Sequence, residues 1–403
     1  MMIRPVAMTI AGSDSGGGAG LQADLKTFTS LGVFGTVIVT GLTAQNTYSV
    51  TKVLEVPPEF IEAQFDAVMA DLKPKYAKTG MLSSSKIIDA VRKKVVEYNI
   101  SLVLDPVMVA KSGAPLVTED TVNALKELIK NSLIITPNKY EAEKLAEMKI
   151  IDITSLKEAT RKIYDSFKVN VVVKGGSSLN GLDYAIIDGK EIELKGEPIN
   201  TKNTHGSGDV FSASLTAYLA KGEKLENALL KAKEYVTLAI KYSLDLGKGH
   251  GPVDPFVPAD IIIQRENARQ EIEKLLWEFE RDPSLLLQVL DENGKANVAY
   301  MTDYGDVATL AGGVIKYLDK IKIDGPILLN IKNEISEKAK QFNKKVLLSI
   351  SITKKLLEAS EKGLIKISES GINSDVIISE GKVYLVGDSI SDIINKLRRM
   401  REL

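Results

Sequence analysis

The sequence predicts an α/β protein built on a mostly parallel sheet, with a second, smaller α/β domain behind it. Three observations point there. Through the first 255 residues, short apolar runs alternate with helical patterns, the signature of βαβ units. Glycine, amide and acidic residues cluster where those runs end, as they do where open α/β sheets bind ligands. A Gly- and Pro-rich stretch, "DLGKGHGPVDPFVP" (245–258), then reads as a loop and domain boundary. It divides the chain into 1–255 and 259–403.

Strands are expected at "PVAMTIA" (5–11), "TVIVTGLTA" (36–44), "YAKTGM" (76–81), "SLVLDPVM" (101–108), "LIITPN" (133–138) and "NVVVKGG" (170–176). Between them, "PEFIEAQFDAVMADL" carries Phe60, Ile61, Phe65, Val68, Met69 and Leu72 near a 3.6-residue period. "TEDTVNALKELIKN" opens on the capping residues Thr118 and Thr121. Alternation around Asp188-Gly189 predicts a hairpin over 183–196. Two helices follow, over 209–221 and 224–243. The second region opens on a charged helix, "DIIIQRENARQEIEKLLWEFERD", with the only tryptophan, Trp277. It closes on strand, turn, strand and helix in "DVIISEGKVYLVGDSISDIINKLRRM".

Composition excludes several classes. There is no cysteine, so disulfides, zinc–thiolate sites and thiol nucleophiles are out. Two histidines, His205 and His250, argue against a histidine-rich metal site. A net charge of −1 gives no global field for nucleic acid. No apolar run approaches the ~20 residues a membrane helix needs, and the N-terminus lacks a signal peptide's apolar core. A cytoplasmic protein is expected. Scarce glutamine and abundant Lys, Glu and Ile are a bias met in thermophiles.

Five motifs fall at predicted strand ends. "AGSDSGGGAGLQADLKTF" (11–28) places Gly16, Gly17, Gly18 and Gly20 between a strand and a helix. Backbone there can approach a ligand closely, and Ser13, Asp14, Gln22 and Asp24 add polar groups. It is not a dinucleotide fingerprint, because Leu21 stands where the third glycine belongs, and no P-loop occurs. "NTHGSGD" (203–209) precedes the stripe Phe211, Leu215, Leu219. Gly206 and Gly208 free amides at a helix N-terminus for an anion, and Asp209 is suited to accept a proton from an attacking hydroxyl. The competing reading is an ordinary N-cap at Ser207 or Asp209.

"TPNKYEAEKL" sets Asn138 and Glu141 three apart at a helix start. They suit a hydrated magnesium held through water and phosphates, or form a capping box. "VKGGSS" offers Lys174 as a phosphate charge or as a residue before a tight turn. "DPVMVAKSG" puts Asp105 at a strand end and Lys111 beyond it.

These motifs, with "TAQNT", "KTGML" and "GKGHGPV", occur in one order. Over residues 3–255 the chain resembles the hydroxymethylpyrimidine/phosphomethylpyrimidine kinases of thiamine biosynthesis. The resemblance implies a ribokinase-like three-layer α/β/α fold and two ATP-dependent steps. The first phosphorylates 4-amino-5-hydroxymethyl-2-methylpyrimidine, and the second converts the monophosphate to the diphosphate. It also implies that Gly12, Asp24, Thr43, Gln45 and Met81 line the pyrimidine pocket. Gln45 offers both an acceptor and a donor to an aminopyrimidine edge. Gly206, Ser207 and Gly208 would form the anion hole, with Asp209 as base. Thr204, Lys174 and Asn138 would meet ATP and its phosphates. Glu141, Asn138 and, through water, Asp105 would order Mg²⁺. A homodimer is implied too. Many members carry cysteine where Asp209 stands, whereas pyridoxal kinases of the wider superfamily carry aspartate. The departure raises pyridoxal or pyridoxine as a side substrate.

Residues 297–316, 328–335 and 374–397 resemble a shortened thiamine-phosphate synthase (ThiN-like) domain. Its Gly-Arg-Ile triplet reads Gly313-Val314-Ile315 here, and no histidine follows His250. Losing those cationic groups predicts a domain that does not couple the two thiamine precursors. Two alternatives stay open: a bifunctional kinase and synthase, and a ligand-sensing regulator without a DNA-reading helix.

Overall fold

A computed structural model describes residues 4–108, 119–292, 294–368 and 374–403. The chain divides into two compact units, Met1–Ala259 and Asp260–Leu403.

In the first unit, nine strands form one sheet. They are β1 (Val6–Asp14), β2 (Phe34–Gln45), β3 (Val50–Glu55), β4 (Tyr76–Thr79), β5 (Ser101–Leu104), β6 (Ile134–Ile135), β7 (Asn170–Lys174), β8 (Asp183–Ile187) and β9 (Lys190–Leu194). The spatial order is β3-β2-β1-β4-β5-β6-β7-β8-β9. The pairs from β2 through β7 are parallel, and β3, β8 and β9 are antiparallel additions at the edges.

The strands alternate strictly, which is why helices cover both faces. Met8 and Ile10, Leu102 and Leu104, and Val171 and Val173 face one core. Their neighbours Ala7, Val103 and Val172 face the other side. The first face is packed by α2 (Pro58–Asp71), α3 (Ser85–Glu97), α4 (Glu119–Ile129), α5 (Lys139–Ala146) and α6 (Ile153–Phe167). The second is packed by α1 (Gly20–Ser30), α7 (Ser207–Ala220) and α8 (Leu225–Lys241). The result is a three-layer α/β/α unit.

The strand order reverses at β1, which has β2 on one side and β4 on the other. That switch point opens a crevice outside the carboxyl ends of the strands.

Two local expectations change. The edge strand β3 was not foreseen, because every residue in it is exposed and leaves no burial alternation. The helix expected near Asp209 begins two residues earlier, at Ser207, directly after Gly206. Thr118 and Lys111 lie outside the described residues. The stretch 245–256 is a loop ahead of the unit boundary, as expected, and it also packs on the first unit. His250 donates its amide to Thr47 O, Val253 to His205 O and Gly251 to Asn203 Oδ1. It straps the first unit's crevice.

In the second unit, α9 (Val257–Arg281) starts at the boundary. A three-stranded antiparallel sheet has the order β10 (Lys295–Ala296), β13 (Gly313–Tyr317), β14 (Lys320–Asp324). A seven-stranded sheet runs β15 (Ile327–Leu329), β12 (Val307–Leu310), β11 (Val298–Met301), β16 (Val346–Ile350), β19 (Lys382–Gly387), β18 (Val376–Ser379), β17 (Ile367–Ser368). Helices α10 (Ser284–Leu287), α11 (Glu334–Phe342), α12 (Lys354–Glu361) and α13 (Ile390–Arg401) complete it. The strand, turn, strand and helix read from its last segment are β18, β19 and α13.

Candidate active site

The crevice of the first unit encloses about 2050 Å³. Its walls come from strand ends and the loops that follow them, so each functional side chain is placed by a short, fixed backbone.

The β1–α1 loop is organised by Asp14. Its Oδ1 accepts the Gly16 amide at 2.8 Å, and its Oδ2 accepts those of Gly18 and Ala19 at 3.1 and 2.9 Å. His205 Nε2 lies 3.0 Å from the same Oδ2. Burial would raise the Asp14 pKa, but His205 and the loop amides outweigh it and hold the carboxyl below its usual range. Asp14 is thus the fixed centre of the loop and ties it to the turn before α7.

That turn needs glycine. Gly206 has φ +78°, and a Cβ there would overlap the carbonyl oxygen of Gly18. It leads into α7, whose N-cap provides no side-chain acceptor. Val210 closes the first turn onto Gly206 O, and the Ser207 amide reaches Thr204 O. The amides of Gly208 and Asp209 have no acceptor among the described residues. They are the donors an anion takes at a helix N-terminus. The ordinary-cap reading fails because neither Ser207 nor Asp209 caps the helix.

Asp209 instead turns back toward the sheet. Its Oδ2 accepts the Gly20 amide at 3.1 Å, and its Oδ1 accepts Lys78 Nζ at 2.9 Å. Burial pushes its pKa up, but Lys78, the Gly20 amide and Lys174 together bring it below the usual carboxylate value.

Lys78, on β4, also donates to Asp24 Oδ1 at 2.8 Å, and both of those side chains are fully buried. Burial alone would lower the lysine's pKa, but Asp209, Asp24 and Asp105 reverse that and keep it protonated. Asp24 therefore does not line the crevice. Its place on the sheet-facing side of α1 puts it beneath the wall, bonded to Thr9 and Lys78. Burial raises its pKa, against the pull of Lys78.

The other residues named from the sequence, Gly12, Thr43, Gln45, Met81, Asp105, Asn138, Glu141, Lys174, Thr204, Gly206, Ser207 and Gly208, all border the crevice. A Cβ on Gly12 would come within 2.6 Å of Met81 Cε, so these two pack together as one patch of wall. The Thr43 hydroxyl donates to Ser13 O, and Gln45 Nε2 lies 3.4 Å from His205 Nε2.

Asn138 and Glu141 do form the capping box of α5. Asn138 Oδ1 accepts the amides of Tyr140 and Glu141, and Glu141 Oε2 accepts that of Asn138. Burial and the Asp105 carboxylate push the Glu141 pKa up. Lys174 lies 3.3 Å from Asp105. A Cβ on Gly208 would sit 3.2 Å from Asp105 Oδ2 and 3.5 Å from Lys174 Nζ, which brings α7's first turn against that pair. No group of three or more acidic or histidine side chains able to hold a metal occurs among the described residues.

The Lys78 bridge, the Asp14–His205 contact and the strap at 248–250 have no counterpart among the sequence motifs. Lys78 left a usable signal: it is a charged residue inside a short strand whose neighbours are buried.

A crevice at a sheet's switch point, bordered by a helix with free amides and a carboxylate in its first turn, defines a small-molecule kinase of the α/β/α class. The family model for phosphomethylpyrimidine kinase matches residues 14–254, and the chain belongs to that family. A hydroxymethylpyrimidine/phosphomethylpyrimidine kinase of Haemophilus influenzae is 46% identical over 255 residues, covering 61% of this chain and 95% of the relative. A thiamine biosynthesis bifunctional protein ThiED of Geobacter sulfurreducens is 45% identical over 266 residues, covering 65% of this chain but only 54% of that longer protein. Among solved structures, an ADP complex of Bacillus subtilis pyridoxal kinase is similar, with a TM-score of 0.60 and 35% identity. It covers 64% of this chain and 99% of that one. The family match ends before the second unit.

Proposed function

We propose that the chain transfers the γ-phosphoryl group of ATP to the hydroxymethyl oxygen of 4-amino-5-hydroxymethyl-2-methylpyrimidine, and then a second phosphoryl group to the monophosphate. The observation that carries this is the start of α7, where two free amides stand beside the ionised Asp209. The substrate oxygen attacks the γ-phosphorus, and the bond from that phosphorus to the β–γ bridging oxygen breaks. ADP leaves with the electron pair, and the hydroxyl proton passes to Asp209. The amides of Gly208 and Asp209 meet the charge on the transferring oxygens. Lys174 faces the same point from β7. Gly12, Met81, Thr43 and Gln45 supply a wall with one apolar patch and a few fixed polar groups, suited to a small heteroaromatic ring.

The donors fit magnesium only in part. Both Glu141 oxygens accept backbone amides, and Asp105 is paired with Lys174. That suits an ion held mainly by water and phosphates, with Asp105, Glu141 and Asn138 around it, rather than a protein cage. Bound there, magnesium would neutralise phosphate charge.

A relative named for this activity, 46% identical over 95% of its length, supports the reading. The test is ADP release by the full-length chain with each pyrimidine. Substrate-dependent ADP and a diphosphate product are expected. A second reading, pyridoxal phosphorylation, is favoured by one observation, the aspartate at 209 in a unit whose fold is similar to that of a pyridoxal kinase. Pyridoxal turnover exceeding that of the pyrimidine would reverse the order.

For the second unit we infer no synthase activity. Val314, at the triplet position where the ThiN-like domain carries arginine, is 1% exposed and packed in the apolar core. Mixing the chain with pyrimidine diphosphate and thiazole phosphate should yield no thiamine phosphate.

A further inference from the structure

Lys78 touches no ligand space. Its side chain is fully buried and it does not border the crevice. Taking a lysine out of water costs several kcal/mol unless it is paired, and Asp24, equally buried at 2.8 Å, would be pair enough. The fold adds a second carboxylate, Asp209, at 2.9 Å. The cluster then holds two acids against one base. The excess negative charge falls on the member that reaches the crevice, since the Asp209 side chain is 17% exposed and Asp24 is not exposed at all.

Every other end of this chain of contacts is fixed. Asp24 Oδ2 takes the Thr9 hydroxyl at 2.5 Å, and Asp209 Oδ2 takes the Gly20 amide. Gly80 leaves the room required. A Cβ there would lie 3.4 Å from both Asp209 Oδ1 and Lys78 Nζ, and 2.9 Å from Ala11 Cβ.

We propose that Lys78 is a positioning residue for phosphoryl transfer, its ammonium aiming the Asp209 carboxylate at the attacking hydroxyl while Asp24 anchors the ammonium from behind. The inference rests on Asp209 being the base. The charged groups facing Asp209 are Lys78 from β4, Asp24 from α1, Lys174 from β7 and Asp105 beyond β5. A carboxylate held this firmly is a weak base. That is tolerable in a loose transition state, where catalysis is mostly positioning. It also accounts for an aspartate serving at this position.

The test uses the full-length chain carrying Lys78→Met, with ATP, magnesium and the hydroxymethylpyrimidine, from about pH 3 to pH 9, a range that spans the lowered Asp209 value. The kcat is expected to fall on the order of 100-fold, with KM for both substrates within about threefold. The acid limb of the kcat profile moves up by roughly one pH unit or more, because Asp209 has lost the cation that keeps it ionised. If the single variant does not fold, Lys78→Met with Asp24→Asn removes both inner charges, and the same upward shift is expected. A folded variant with kcat within threefold of the parent and an unmoved acid limb overturns the proposal, as does a change confined to KM. Asp209→Asn separates the two readings. If it retains turnover, the base assignment falls; if it is inactive while Lys78→Met behaves as the parent, only the role of Lys78 falls.

Discussion

Lys78 in the first unit and Lys396 and Lys338 in the second are all buried, but they send their charges in opposite directions, and the difference separates a reactive interior from a structural one. In the second unit, Lys396 reaches Val386 O and the partly exposed Asp375 and Asp392, while Lys338 pairs with the exposed Glu380. These side chains bury their stems and send the charge outward to partners that water also reaches. In the first unit, Lys78 sends its charge inward, to Asp24 beneath the crevice and Asp209 at its edge. Outward pairs fasten a surface. An inward pair holds a reacting group in place, and it is stable only because every member has a partner.

The largest break in this comparison comes from Asp209→Ala. Turnover should fall about 1000-fold, within the range a general base supplies, while the thermal midpoint changes little. Steady-state ADP release and calorimetry check the two halves of that statement. Gly206→Ala follows. Its forced left-handed backbone costs about 1–3 kcal/mol before the overlap with Gly18 O is counted. Calorimetry should show the first unit melting on the order of 5 °C lower, with phosphoryl transfer lost.

The parent enzyme supplies a subtler test. Asp209 is held below the ordinary carboxylate range. The ionised base is therefore fully present at neutral pH and is lost only as pH falls through that lowered value. The kcat profile should stay flat on its acid side well below pH 6. The smallest effect belongs to the outward pair: Lys396→Met should cost about 1 kcal/mol of stability and leave pyrimidine turnover unchanged.

Much of the first unit was legible in the sequence because its strands are apolar on both faces and end in glycine and amide motifs. Gly206, Ser207, Gly208, Asp209, Asn138, Glu141 and Lys174 all stand within one crevice. Three things were hidden for physical reasons. The edge strand β3 buries nothing, so it has no period to read. The side of α1 that carries Asp24 depends on how the helix settles on the sheet, which a glycine loop does not reveal. The Lys78 bridge joins residues 54 and 131 positions apart in the chain, beyond any local pattern. The packing of 245–256 against Thr47, Asn203 and His205 was hidden as well, because glycines and prolines suit a boundary loop and close packing equally.

Phosphoryl transfer to a hydroxymethylpyrimidine at α7 and Asp209 can be followed directly. The most direct measurement incubates the full-length chain with ATP, magnesium and 4-amino-5-hydroxymethyl-2-methylpyrimidine and follows the products by mass. The monophosphate and then the diphosphate are expected, with ADP formed in step and about 1000-fold more slowly by the Asp209→Ala variant. No phosphorylated pyrimidine from folded parent protein, or equal yield from Asp209→Ala, would contradict it.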